Sequence, residues 1–157
     1  MAVHSAAKHG VLVNFTFYAF LPPAHGGTNP YLDPKSLEGQ KNFLTAVASR
    51  YRGVGWIHYD LINEPSYAPP DGLWSNRPIG DEHEKAAWLL WVKNRHGSDL
   101  NLIRSRWRDR SDDPLTLSGH ARKMRDFTEF TNDVAALWAR TLRTWLREAG
   151  GDVLVTL

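Results

Sequence analysis

Apolar and polar residues alternate along two short stretches of the chain, and a period of two predicts β-strands. The first stretch is GVLVNFTFYAF, residues 10–20. One of its faces is apolar and the other is mixed: Val11, Val13, Phe15, Phe17 and Ala19 against Leu12, Asn14, Thr16, Tyr18 and Phe20. The second stretch is WIHYDLI, residues 56–62. A third apolar run, residues 153–157, follows a Gly-Gly pair and predicts one more strand.

Between the strands, apolar residues recur at helical spacing. Asp33 and Pro34 predict the start of a helix that ends near Gly53, and residues before Gly10 resemble the last turns of another. Further helices are predicted from Glu84 to the sequence RHG, around Ile103, and along a stripe from residue 127 to residue 145. The apolar positions of the two long patterns are Leu37, Phe43, Leu44, Val47 and Tyr51, and Phe127, Phe130, Val134, Leu137, Trp138, Thr141, Leu142 and Trp145. The tryptophans of these helices, Trp88, Trp91, Trp107, Trp138 and Trp145, are interpreted as packing residues.

The order of these elements is strand, helix, strand, inserted helices, helix, strand. Strands that alternate with helices indicate parallel pairing through right-handed crossovers, so the predicted class is α/β. With 157 residues, the chain is long enough for one domain or part of one. We therefore expect a single domain over residues 1–157, with residues 74–118 as an insertion within it.

Composition excludes several kinds of function. The net charge is +2, from 19 basic and 17 acidic residues. Nearby aspartates nearly cancel the basic run RSRWRDR, and we interpret this run and HARKMR as solvated helix surface, so we expect no nucleic-acid or membrane partner. No stretch reaches the roughly 18 apolar residues of a membrane helix, and the first ten residues lack a signal-peptide pattern. Cysteine is absent and the seven histidines show no ligand spacing, so we expect no metal site. The compartment stays open, and secretion of a longer protein is one option.

The second predicted strand runs directly into the tripeptide Asn63-Glu64-Pro65. In parallel α/β architectures the side chains at the carboxyl ends of strands face the ligand. Glu64 is therefore a candidate catalytic carboxylate. Alternation puts Asp60 on the same face, where we interpret it as a polar residue paired to a neighbouring strand, since buried carboxylates need partners.

The sequence YDLINEP after an apolar strand resembles the fourth-strand signature of the clan A retaining glycoside hydrolases, which are (β/α)8 barrels. The family-five cellulases and mannanases are the nearest likeness. NPYLDPKSLEGQKNFLTAVASRYRG resembles the segment between strands three and four of that group, and WLLWVKNRHGSDLNLIRSRW resembles an insertion after strand four. The resemblance implies a partial barrel of about strands three to five.

By the same resemblance, Glu64 is the general acid/base and Asn63 hydrogen-bonds the 2-hydroxyl of the sugar. The substrate is then a β-linked oligo- or polysaccharide, cleaved with retention and without a cofactor. The family's nucleophile is a glutamate at the end of strand seven. The carboxylates after the NEP tripeptide do not match that position: Asp71, Asp81, Glu82 and Glu84. We therefore expect a central segment of a longer protein, or of a truncated reading frame, that is inactive alone.

Four further residues are candidate sugar contacts near the predicted site: Tyr18, Phe20, His25 and Trp74. Tyr18 and Phe20 end the first strand and fit a core role equally well, whereas His25 and Trp74 lie on loops expected to border the site. An alternative function is a non-catalytic carbohydrate-binding or assembly piece that pairs with a second chain, which would supply the remainder of the barrel. Sugar and linkage specificity, endo or exo action and oligomeric state are not determined by the sequence.

Overall fold

The computed structural model describes residues 2–69, 72, 78–109, 115–117 and 120–157. Within them the chain forms five helices and three strands. In chain order these are α1 (Ala2–Lys8), β1 (Val13–Tyr18), α2 (Pro34–Arg50), β2 (Ile57–Ile62), α3 (Glu82–His96), α4 (Leu100–Trp107), α5 (Ala121–Gly150) and β3 (Val155–Thr156). The strands form one parallel sheet in the order β1-β2-β3. The predicted mixed α/β class with parallel strands is confirmed.

The described residues divide into two compact units. The first contains the residues up to Ser66 together with Ala136–Leu157, and so includes the whole sheet and α2. The second is Tyr67–Ala135, with α3 and α4. Helix α5 contributes its first half to the second unit and its second half to the first.

In the sheet, β2 is the central strand. Its residue Tyr59 pairs with Phe15 of β1 and with Val155 of β3. The predicted third strand, residues 153–157, is reduced to Val155–Thr156, because the ladder to β2 extends over only two residues. The predicted first strand is likewise shortened to Val13–Tyr18.

Burial in β1 alternates as predicted over its first four residues and then changes. Phe15 and Phe17 pack against Tyr59, with the rings of Phe17 and Tyr59 stacked at 5.4 Å. Tyr18 is also buried, although the alternation put it on the mixed face with Asn14 and Thr16. Both faces of the sheet are covered at this end, since Leu61 and Ile62 are buried as well.

Helix α2 begins as the sequence predicts, because the Asp33 side chain accepts the Lys35 N–H at 2.9 Å and Pro34 opens the first turn. Its buried face differs from the predicted one. Phe43 is 40% exposed, whereas the polar residues Ser36 and Gln40 are fully buried. The buried face of α2 has one residue in every four: Ser36, Gln40, Leu44 and Ala48.

The long helix α5 buries most of the predicted stripe, including Phe127, Phe130 and Trp138. Leu137 is the exception, with 56% of its surface exposed, and the buried position that the pattern missed is Leu146. The interpretation of the tryptophans as packing residues holds for Trp88, Trp107 and Trp138, which are buried. Trp91 is partly exposed but also packs, since its ring stacks on Trp88 at 5.5 Å. Trp145 is partly exposed.

The core of the second unit is built around Trp88, which is fully buried. Its ring stacks on Trp91 at 5.5 Å and on Trp107 at 5.7 Å, and the edges of Phe127 and Phe130 contact it from α5. Three helices of this unit therefore share one aromatic cluster. Aromatic pairs of this kind add about 0.5–1.5 kcal/mol each beyond the area they bury.

Candidate active site

The carboxyl end of β2 continues directly into the candidate residues. The Asn63 N–H donates to the Tyr18 carbonyl at 3.0 Å, which extends the β1–β2 ladder one step beyond the assigned strands. This bond holds the backbone of Asn63 beside the end of β1. The side chains of Asn63 and Glu64 are both exposed.

Glu64 has a left-handed backbone, with φ of +49°. This conformation costs a residue with a side chain about 1–2 kcal/mol and is taken up mainly by glycine. Non-glycine residues in such regions cluster at functional sites, where the surrounding structure holds them in place. Two other described non-glycine residues, His25 and Arg108, also have positive φ, so the backbone conformation alone does not assign a role to Glu64.

Polar side chains lie on the same face of β2 as Glu64, one pair of residues before the buried Tyr18 and Ile62. Asp60 accepts hydrogen bonds from Thr16 of β1 at 3.1 Å and from Thr156 of β3 at 3.4 Å. Asp60 pairs with neighbouring strands as predicted, although it is half-buried and not buried as expected. The carboxylate bridges both neighbours of β2, which makes it a positioning group for the sheet.

Two buried polar side chains of α2 form hydrogen bonds with the loop after β1, and the sequence pattern did not predict either of them. Ser36 Oγ donates to the Ala24 carbonyl at 2.7 Å, and the Gln40 amide donates to the Pro30 carbonyl at 2.5 Å. Gln40 also accepts the indole N–H of Trp138 at 2.9 Å. The four-residue spacing of Ser36, Gln40 and Leu44 could have predicted that these residues share one helix face. A search for apolar residues alone does not include the two polar ones.

Tyr18 and Tyr31 belong to the same packing. Their rings contact Trp138 at centroid distances of 6.3 Å and 5.6 Å, and the Tyr31 hydroxyl donates to the Ser66 carbonyl at 2.7 Å. Burial raises the pKa of both tyrosines. The Tyr18 hydroxyl has no hydrogen-bond partner among the described residues. Tyr18 thus occupies the core position that was its alternative interpretation.

The remaining candidate sugar contacts are Phe20, His25 and Trp74. Phe20 is 40% exposed, two residues after β1. The exposed His25 has φ of +48°, and its ring lies so close to α2 that a Cβ at Gly39 would come within 2.4 Å of it. Only glycine at position 39 allows this approach. Trp74 lies outside the described residues.

The carboxylates that follow the tripeptide have other surroundings. Asp81 caps α3 by accepting the Glu84 N–H at 2.9 Å, Glu82 is exposed in the first turn, and Asp71 lies outside the described residues. Glu84 is fully buried and accepts hydrogen bonds from the Gly80 N–H at 2.7 Å and the Tyr67 hydroxyl at 3.0 Å. Desolvation raises the pKa of Glu84, although these hydrogen bonds act in the opposite direction. The three described acids, Asp81, Glu82 and Glu84, all lie in the second unit, where Asp81 and Glu84 form hydrogen bonds at the start of α3.

Comparisons with known proteins add no assignment. No protein-family model, no curated protein and no solved structure matches the chain. No described helix is long and apolar enough to span a bilayer. Among the described residues, His, Asp and Glu side chains form no group of three that could hold a metal ion.

Proposed function

We propose that this chain is part of a (β/α)8 retaining glycoside hydrolase acting on a β-linked glycan, with Glu64 as the general acid/base. The observation that carries the proposal is the position of Glu64. It follows the carboxyl end of the central parallel strand and comes directly after Asn63, whose N–H donates to the Tyr18 carbonyl at 3.0 Å. Asn63, held beside Tyr18, is the proposed contact of the sugar 2-hydroxyl.

In this mechanism Glu64 gives its proton to the glycosidic oxygen as the bond from that oxygen to the anomeric carbon breaks. A second carboxylate attacks the anomeric carbon and forms a glycosyl ester. Water then attacks the same carbon, gives a proton to Glu64 and releases the second carboxylate. The two carboxyl groups must lie about 5–5.5 Å apart.

The described residues supply one half of this pair. Asp60 is engaged by Thr16 and Thr156, and no other described carboxylate follows the end of a strand of the sheet. A general acid also acts in a site that excludes bulk water, and the Glu64 side chain is exposed. We therefore propose that the nucleophile and the walls of the site come from the remainder of the barrel.

A small external nucleophile tests the acid role directly, because it can replace a missing carboxylate. We expect the complete barrel, with its nucleophilic glutamate replaced by alanine and sodium azide supplied, to convert phenyl β-cellobioside or phenyl β-mannobioside into the α-glycosyl azide. Azide forms the new bond to the anomeric carbon, and phenol leaves with the proton of Glu64. Glu64→Gln should slow this reaction by about 100-fold or more, the usual contribution of a general acid.

The leaving group and a matched variant provide the controls. With 2,4-dinitrophenyl glycosides the loss in Glu64→Gln should fall below about tenfold, because that phenolate leaves without acid assistance. Glu38→Gln changes another exposed glutamate of the same unit and should behave as the wild type. Equal losses on both leaving groups would contradict the acid role.

A second candidate function is a non-catalytic carbohydrate-binding or assembly piece. The exposure of Glu64 and the polar, exposed sheet face around Thr16 favour it. This function predicts saturable binding of cello- or manno-oligosaccharides that Glu64→Gln leaves unchanged, without azide-dependent cleavage. Calorimetry with the same two variants separates the two candidates.

A further inference from the structure

A cavity of about 320 Å³ opens in the second unit, where the end of α3, α4 and the first half of α5 meet. Four of the side chains that line it are arginines contributed by these three helices: Arg95, Arg106, Arg122 and Arg125. Ile103 and Trp107, both buried, form its apolar floor. The cavity thus combines an apolar base with a cationic rim.

The two carboxylates of the cavity neutralise only part of this charge. Glu129 forms ion pairs with Arg95 and with Arg125, the latter at 3.3 Å. Asp126 is turned to other partners, since its Oδ2 accepts the Trp107 indole N–H at 2.6 Å and lies 2.9 Å from His96 Nε2. Among the described residues, these contacts leave two arginines of the cavity without an ion pair to a carboxylate.

Those two arginines are Arg106 and Arg122. Arg122 donates one N–H to the Arg106 carbonyl at 3.1 Å, and neither guanidinium pairs with a carboxylate of a described residue. Both side chains are exposed and border the same cavity. Each guanidinium carries five N–H donors in a planar fork that matches the oxygens of phosphate or carboxylate groups.

We propose that this cavity binds a small multivalent oxyanion, with Arg106 and Arg122 as its principal ligands. The recognised chemistry is a pair of anionic oxygens on a phosphate or carboxylate group, carried on a molecule small enough for about 320 Å³. The competing explanation is that basic residues near the ends of α3 and α4 merely stabilise those helix termini, which requires no ligand.

Isothermal titration calorimetry of the full chain with inorganic pyrophosphate and with citrate distinguishes these explanations. We expect saturable 1:1 binding of at least one anion at low ionic strength, with Kd below about 1 mM. Arg106→Ala and Arg122→Ala should each weaken binding by about tenfold or more, because each removes a charge-assisted contact. Preference for pyrophosphate indicates a phosphate compound, and preference for citrate a carboxylic acid.

Arg143→Ala is the matched control, since Arg143 is an exposed arginine of α5 outside the cavity. Arg106→Lys and Arg122→Lys keep the charge and lose the fork, so they should also weaken binding while the far-ultraviolet circular dichroism spectrum is unchanged. Absence of saturable binding, or equal weakening by Arg143→Ala, overturns the proposal.

Discussion

At the scale of single residues, Glu64 differs from its neighbours in its backbone. Asn63 continues the ladder to β1, and the next residue turns into the left-handed region. A side chain makes that turn unfavourable, so a glutamate there is costly to stability. Because the same carboxylate is the proposed general acid, its function would explain why a glutamate is present despite the loss of stability.

Replacing Glu64 by glycine should therefore stabilise the chain while removing the proposed acid. We expect the free energy of unfolding of Glu64→Gly to rise by about 1 kcal/mol in urea denaturation, because glycine tolerates positive φ. Asn63→Gly is the control, since Asn63 has no positive φ, and it should lower stability by about 0.5–1 kcal/mol. A loss of stability in Glu64→Gly would show that the carboxylate itself supports the turn.

Glu84 is the second residue with an unusual environment. Its carboxyl group is buried between Tyr67 and Gly80, and desolvation raises its pKa. As pH rises above the ordinary carboxyl range, the unfolded chain loses this proton before the folded chain does. The folded state then binds more protons, and its stability falls with rising pH.

Glu84→Gln removes this titration and keeps an acceptor for the Tyr67 hydroxyl. We expect the stability of the wild type relative to Glu84→Gln to be highest below the ordinary pKa of glutamate and to decrease as pH rises through the raised pKa. Thermal melts of both proteins between about pH 4 and pH 8 measure the difference, since His and Asp titrations common to both cancel. A difference between the two proteins that does not change with pH would contradict the raised pKa of Glu84.

At the scale of elements, α2 shows how a helix can bury polar residues and still be stable. Gln40 connects the Pro30 carbonyl of the loop to the Trp138 indole of α5. Both of its partners would otherwise be buried polar groups without a hydrogen bond. The exposed Phe43 instead makes a T-shaped contact with the Phe17 ring, at a centroid distance of 5.7 Å.

Removing the Gln40 amide should therefore lower the stability of the folded chain. We expect Gln40→Ala to lower the free energy of unfolding by about 2–4 kcal/mol, because it leaves the Pro30 carbonyl and the Trp138 N–H unsatisfied. Asn42→Ala changes an exposed amide of the same helix and should cost less than about 0.5 kcal/mol. Similar losses for the two variants in chemical denaturation would argue against the role assigned to Gln40.

At the scale of the whole molecule, the chain has two units, each with its own aromatic core. Trp88 is at the centre of one core and Trp138 at the centre of the other. Helix α5 supplies residues to both units. Local stability can differ between such units, because each opens with the free energy of its own packing.

Trp88→Ala should destabilise its own unit first. Loss of a buried tryptophan costs about 3–5 kcal/mol, and we expect amide hydrogen exchange to accelerate more in α3 and α4 than in β2. Trp138→Ala is the matched variant and should have the reverse effect, with faster exchange in β1 and β2. Uniform acceleration along the chain in both variants would indicate one cooperative unit.

The sequence by itself determined the elements. Alternation predicted β1 and β2, helical periodicity predicted α2 to α5, and Asp33 with Pro34 predicted the start of α2, because backbone preferences and caps are local. It also determined that Glu64 follows a strand. Tertiary structure decided which side chains are buried: Gln40 rather than Phe43, and Leu146 rather than Leu137. Burial depends on contacts with residues that are distant in the sequence, such as the contact of Trp138 with Gln40. The hydrophobic pattern of one segment does not specify these long-range contacts.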